Sequence, residues 1–213
     1  MAVGPRFAHI YCMRHIHFPN IGYTATTIST ELLEQLRSHV DSIDLTDEGG
    51  IDHSHVGTVT HEHRITDDAV RDSISNVLQQ CVQEYVKNNH FPLEPRPLGL
   101  TDCWVNFQSA GEYMIPHTHK GVFSFALWLS VPFTSASEAE WRAQNGKPSR
   151  ALHAFTFQYT DSLGRITPYE IPVDREWEGT LVLFPCEMMH SVTPFYSTDK
   201  QRITISGNVE YVG

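Results

Sequence analysis

No apolar run in this 213-residue chain approaches the roughly 20 residues that a membrane-crossing helix needs, so no helical membrane anchor is expected within it. The first twenty residues, MAVGPRFAHIYCMRHIHFPN, lack the basic-then-apolar order of a secretory signal. Cysteine is scarce. Cys12, Cys81, Cys103 and Cys186 stand far apart and form no CxxC, which reads as reduced, partly buried thiols in a cytoplasmic protein rather than a disulfide framework. Positive charge is also short: 15 Lys and Arg against 25 Asp and Glu leave a formal charge of −10. Such a field repels a phosphate backbone, and no Lys/Arg cluster offsets it locally, so nucleic acid is not an expected partner. Internal repeats and low-complexity tracts are absent as well.

What is present suits a soluble globular protein. A 40% hydrophobic and 19% charged composition is ordinary, and the length suits one substantial domain. We expect a single domain over 1–213, with a helical and edge-strand part over 1–97 and a β-rich core over 98–213. In TELLEQLRSHVDSI (30–43), Leu32, Leu33, Leu36, Val40 and Ile43 share one helical face, with Thr30 as N-cap. A second helix follows the acidic start Thr66-Asp67-Asp68 and ends near Asn88-Asn89, its apolar residues recurring from Val70 to Val86. The polar stretch between them reads as a loop. His15 and His17 read as part of an early strand added to a sheet edge.

After Pro97, short aromatic and β-branched segments alternate with turn signals. Strands are expected near 101–108, 112–119, 121–131, 151–159, 165–173, 179–185, 189–196 and 201–211. Eight such strands predict an α+β protein whose core is a double-stranded β-helix (a jelly-roll or cupin-like double sheet), with the N-terminal helices on the larger sheet. Residues 134–150 form the longest connection in this half and read as a loop with Trp141 in it.

IPHTHKG (115–121) places two histidines one residue apart before a long apolar run. Residues two apart on a strand project to the same side, so His117 and His119 can address one metal ion. With 13 histidines in the chain, such a pair alone is a weak signal. Downstream, GTLVLFPCEMMHSVTPF (179–195) breaks a buried strand at Pro185 and opens the next at His190. In a jelly roll the second and seventh strands lie side by side, about 4.8 Å apart, which would bring His190 to the pair. Three neutral imidazoles with coordination positions left open suit a divalent iron that activates O2. In QRITISGNVEY, Arg202, Thr204 and Ser206 share a strand face, and a buried arginine fork there calls for an anion. The pairs His53/His55 and His61/His63 sit in polar sequence with no distal partner and read as loop residues. Cys186, near His190, lacks an oriented third group and reads as a buried thiol rather than a nucleophile.

WVNFQSAGEYMIPHTHKGVFSFALWLSVPF together with EGTLVLFPCEMMHSVTPFYSTDKQRITISGN resembles the Fe(II)/2-oxoglutarate-dependent oxygenases, closest to their prolyl-hydroxylase-like branch and a 2OG-Fe(II) oxygenase family within it. The likeness covers roughly 100–210. It implies Fe(II) and 2-oxoglutarate as cofactor and cosubstrate, with O2 and a small-molecule, amino-acid or peptide substrate as partners; a homodimer stays open. His117 and His190 are then iron ligands, and Arg202, assisted by Thr204, holds 2-oxoglutarate. Asn106, Tyr113 and Trp128 lie on strands that line the cosubstrate pocket in such enzymes. One departure stands out: the superfamily's HxD/E carboxylate is replaced by His119, which we take as the third ligand. The same residues also resemble cupin motifs, so a three-His dioxygenase that does not use 2-oxoglutarate, and a non-catalytic metal-binding jelly roll, are the alternatives. Arg202 with Thr204 favours the oxygenase.

Overall fold

Helical periodicity before Pro97 and strand periodicity after it both appear in the backbone of the computed structural model, which describes residues 13–16, 22–45, 57–59, 61–146, 152–161 and 163–213. In chain order the elements are β1 (Arg14–Ile16), β2 (Tyr23–Thr27), α1 (Thr30–Asp41), β3 (His61–Arg64) and α2 (Asp68–Asn89). Eight strands follow Pro97: β4 (Leu98–Gln108), β5 (Met114–His117), β6 (Phe123–Ser130), β7 (Ala154–Thr160), β8 (Ile166–Pro172), β9 (Thr180–Pro185), β10 (His190–Val192) and β11 (Arg202–Tyr211). Between β6 and β7 runs α3 (Ser135–Asn145).

The strands form a seven-stranded sheet, β1-β2-β9-β6-β11-β4-β3, and a four-stranded sheet, β5-β10-β7-β8. Every pairing is antiparallel. This is the jelly-roll core the strand count predicts, in an α+β protein. Alternation along β6 shows how it is layered. Phe125 and Leu127 pack toward the helices with Leu36, Ile74, Leu78 and Tyr85, while Ala126 and Trp128 pack toward the smaller sheet with Phe155, Phe157 and Phe195. Both faces of β6 are covered, so FSFALWLS reads as one continuous apolar run. Each large side chain so buried contributes about 1.5–3 kcal/mol.

Local departures from the sequence reading have simple causes. The N-cap of α1 is Ser29, not Thr30; its hydroxyl accepts from the Leu32 N–H at 3.2 Å. Polar HEHR, read as loop, is β3, because its backbone pairs with the edge of β4 whatever its side chains. The expected 134–150 loop holds α3, started by a capping box at Thr134 and Ser137. The strand over Arg14–Ile16 pairs with β2 at the sheet edge, as expected for His15. His17, His53 and His55 lie outside the described residues. Among the described residues no helix is long and apolar enough to cross a membrane.

Candidate metal centre and adjoining cavity

His190 opens β10 and stands in register with His117 of β5 on one side and Phe157 of β7 on the other. His119 follows two residues beyond β5, and its backbone N–H donates to the Cys186 carbonyl at 2.9 Å. That bond ties the HTHKG turn to the loop between β9 and β10. Gly121 closes the turn at φ 113, where a Cβ would press on the Glu210 side chain. The three rings gather tightly. Their centroids lie 4.4 Å apart for His117–His190, 5.0 Å for His117–His119 and 5.1 Å for His119–His190. One ring nitrogen from each lies within 4.8 Å of the others, and no further His, Cys, Asp or Glu among the described residues joins them.

Backbone carbonyls set the tautomers of two of these rings. His117 Nδ1 lies 2.8 Å from the Ile115 carbonyl and His190 Nδ1 lies 2.9 Å from the Met188 carbonyl. A carbonyl only accepts, so each Nδ1 carries the proton and each Nε2 keeps its lone pair for a metal. His190 is buried against Phe155 and Phe184. Burial pushes its pKa well below 6.5, and the neighbouring His117 and His119 add to the fall, against the bond to Met188. It is a neutral ligand-capable imidazole at neutral pH.

Beside the histidines opens a cavity of about 400 Å³. Across the larger sheet, Trp128, Thr204, Asn106 and Glu62 stand in one row on β6, β11, β4 and β3, and all four line that cavity. Asn106 organises its neighbours. Its Oδ1 accepts from the Trp104 indole N–H at 3.1 Å, and its Nδ2 donates to Thr204 Oγ1 at 3.2 Å and Ser206 Oγ at 3.1 Å. Both hydroxyl oxygens act as acceptors there, so their protons can be donated into the cavity.

Arg202 is 2% exposed in the wall of the same cavity. Its Nε donates to Gln108 Oε1 at 3.1 Å, its Nη2 donates to the same oxygen, and Nη1 is buried without an acceptor among the described residues. Burial lowers its pKa to about 10 and nearby Glu138 opposes the fall, so the guanidinium stays charged at neutral pH. A buried cationic N–H group with no acceptor is a built place for an anion. Glu62, also buried, has its carboxyl pushed up to about 7 by desolvation.

Of the residues singled out by sequence, His117, His119 and His190 come together, and Arg202, Thr204, Asn106 and Trp128 line the adjoining cavity. Tyr113 does not. It is 41% exposed, in the turn before β5, with its backbone bonded to Thr58. Asn106 holds the wall together, with its amide committed to protein partners. Trp141 stacks on Tyr196 at 4.5 Å and anchors its own helix. Cys186 donates to the Gly121 carbonyl at 2.6 Å, and burial raises its pKa, as a structural thiol requires. Gln108 was missed, although it alternates with Trp104 and Asn106 along β4 and period two would have found it. Glu62 was missed because a four-residue polar strand carries no apolar pattern.

The family model described as "Putative 2OG-Fe(II) oxygenase" matches residues 102–208, a stretch that contains all three histidines and Arg202. No curated protein sequence matches the chain. Among solved structures, a Pseudomonas putida prolyl-4-hydroxylase superposes with a TM-score of 0.60 at 14% identity, covering 90% of this chain and 93% of that one. A Trichoplax adhaerens prolyl hydroxylase, solved with a hypoxia inducible factor peptide fragment, gives 0.53 at 17% identity over 94% and 82%. HygX from Streptomyces hygroscopicus, solved with nickel, 2-oxoglutarate and hygromycin B, gives 0.52 at 12% identity over 89% and 83%. At these identities the likeness is one of fold.

Proposed function

Since the chain belongs to the 2OG-Fe(II) oxygenase family, we propose that His117, His119 and His190 hold the Fe(II) of this enzyme. Arg202 receives the distal carboxylate of 2-oxoglutarate, and the hydroxyls of Thr204 and Ser206 complete that end of the cavity. The substrate is a small molecule, an amino acid or a peptidyl residue, and hydroxylation is the outcome. The observation that carries this reading is the buried Arg202 Nη1, without an acceptor among the described residues, in the wall of the cavity that the three histidines share.

The residues fit both groups. Two of the imidazoles have their Nε2 lone pairs fixed by backbone bonds, which suits a divalent metal. Three neutral ligands leave the full charge of Fe(II) uncompensated, and a dianionic cosubstrate balances it. Bound Fe(II) and 2-oxoglutarate supply the family's chemistry: O2 is consumed, 2-oxoglutarate becomes succinate and CO2, and one oxygen atom enters a substrate C–H bond. The chain's own part is positional. Gln108 holds Arg202 by two N–H groups and leaves the third side of the fork to the ligand. Phe155 and Phe184 keep water from the inner side of His190.

Succinate formation against 2-oxoglutarate concentration tests the assignment. Losing one or two charge-assisted bonds of about 1.5–3 kcal/mol each, Arg202→Leu should raise the 2-oxoglutarate requirement at least about ten-fold, with iron content unchanged. Arg202→Lys should be milder, since it keeps the charge and loses the fork. Gln108→Leu should move in the same direction as Arg202→Leu. An unchanged requirement in Arg202→Leu would remove the arginine from the cosubstrate site.

A further inference from the structure

The iron and cosubstrate reading leaves one ionisable group of the cavity unused. Glu62 is 3% exposed and supplies the only carboxylate among the described residues that line the cavity, as Arg202 supplies the only guanidinium. It lies outside the 102–208 family match and reaches the site through chain pairing. Upstream, Gly57 bridges to Met114 in the smaller sheet, packed so closely that a Cβ would strike the Tyr113 carbonyl. Downstream, β3 pairs along the edge of β4 in the larger sheet. Residues 57–59 and 61–64 thus meet both sheets at the cavity's side, with Val59 and Glu62 in its lining.

Position separates Glu62 from the anion end. It stands opposite Asn106, one strand beyond it, while Thr204 lies one strand to the other side. Two strand spacings put Glu62 roughly 10 Å from Thr204, and the diagonal to Arg202 is roughly 12 Å. Its diagonal neighbours on β4 are Gln108 and Trp104, and the Trp104 indole lies 5.8 Å from the His119 ring in the lining of the cavity. A carboxylate, an indole and the metal-side histidine therefore share one corner.

We propose that Glu62 and Trp104 form the substrate-recognition corner of this oxygenase and select a molecule or residue bearing a cationic amine. The inference rests on the reading above, which assigns the Arg202 end to 2-oxoglutarate. In its ionised form Glu62 accepts hydrogen bonds and donates none, so it matches ammonium N–H groups, whose positive charge favours that form. In a site this secluded it repels a second anion, and an apolar substrate offers it neither charge nor a hydrogen bond. An indole attracts a cation over its face, which adds to the same preference. Because the corner adjoins His119, an amine held there brings the rest of the substrate beside the metal centre.

Calorimetric titration of the full chain, loaded with Fe(II) and 2-oxoglutarate without O2, tests this. The probes are cation and neutral pairs of one shape: Nα-acetyl-L-lysine amide against Nα-acetyl-L-norleucine amide, and cyclopentylammonium against cyclopentanol. The cation of at least one pair should bind about ten-fold more tightly or better, the size of one desolvated charge-assisted bond. Glu62→Gln should reduce that ratio to about three-fold or less, and Glu62→Asp should keep more of it. Equal binding within both pairs of the wild type, including no binding by either member, overturns the proposal, as does a preference that survives Glu62→Gln. Should Glu62→Gln fail to fold, the wild-type ratios and Glu62→Asp still decide. A wild type that binds 2-oxoglutarate but shows no cation preference sinks this inference alone. One that neither binds 2-oxoglutarate nor forms succinate sinks the oxygenase assignment of the site.

Discussion

At His190 the surroundings set the charge state before any metal arrives. Phenylalanine rings and two further imidazoles keep it neutral, and the Met188 carbonyl fixes which nitrogen is free. Two remaining imidazoles hold a divalent ion poorly, so His190→Ala should abolish stoichiometric iron binding, which metal analysis of the purified variant will show. The unusual position is His119. His119→Ala should weaken iron binding substantially, whereas His119→Asp should keep iron, because a carboxylate restores the donor that HxD members of the superfamily use. Unchanged affinity in His119→Ala would reduce that residue to a lining role. Protons compete with the metal for these lone pairs, so iron should be lost at acid pH.

At the scale of elements, α3 matters for a contact made from its first turn. Glu138, fully buried, accepts the backbone N–H groups of Tyr196 and Ser197, at 3.0 Å and 2.7 Å for the shorter bonds. It thereby fixes the connection between β10 and β11, the segment that delivers Arg202. Glu138→Leu should leave the N–H groups of two half-buried residues without their acceptor and lower stability by about 1–3 kcal/mol. Denaturant unfolding measures that loss. The same variant should raise the 2-oxoglutarate requirement while keeping iron, because the histidines stand on β5, the turn after it and the start of β10 rather than on β11. A variant as stable as wild type would mean that water replaces the carboxylate without consequence. β3 makes the complementary case: four polar residues of negligible propensity become a strand because β4 offers an edge.

Across the whole molecule, buried Glu62 couples stability to pH. Its carboxyl is raised from about 4.5 to about 7 by desolvation, so the folded chain holds this proton more tightly than the unfolded one. The associated stability is fully present below about 4.5 and is lost as pH rises through about 7. Metal-free wild type should therefore lose more thermal stability between pH 5.5 and pH 8 than Glu62→Gln, by about 2–6 °C in Tm. Parallel curves for the two proteins would show that Glu62 titrates normally. The strand count after Pro97, the apolar faces of both long helices and the HxH–distal His–RxT series were legible in the sequence, because burial imposes its period directly on the residues that face the core. The register that sets His190 opposite His117 followed from jelly-roll topology, and the backbone carries it. Other features were decided only by tertiary structure. Tyr113 turns outward because the turn before β5 directs it there, and Asn106 spends its amide on wall residues. Gln108 becomes the holder of Arg202, and Glu62 becomes a cavity wall. Each depends on which strand lies beside which, and strand neighbours distant in sequence are chosen by the packing of the whole chain, which no local pattern records.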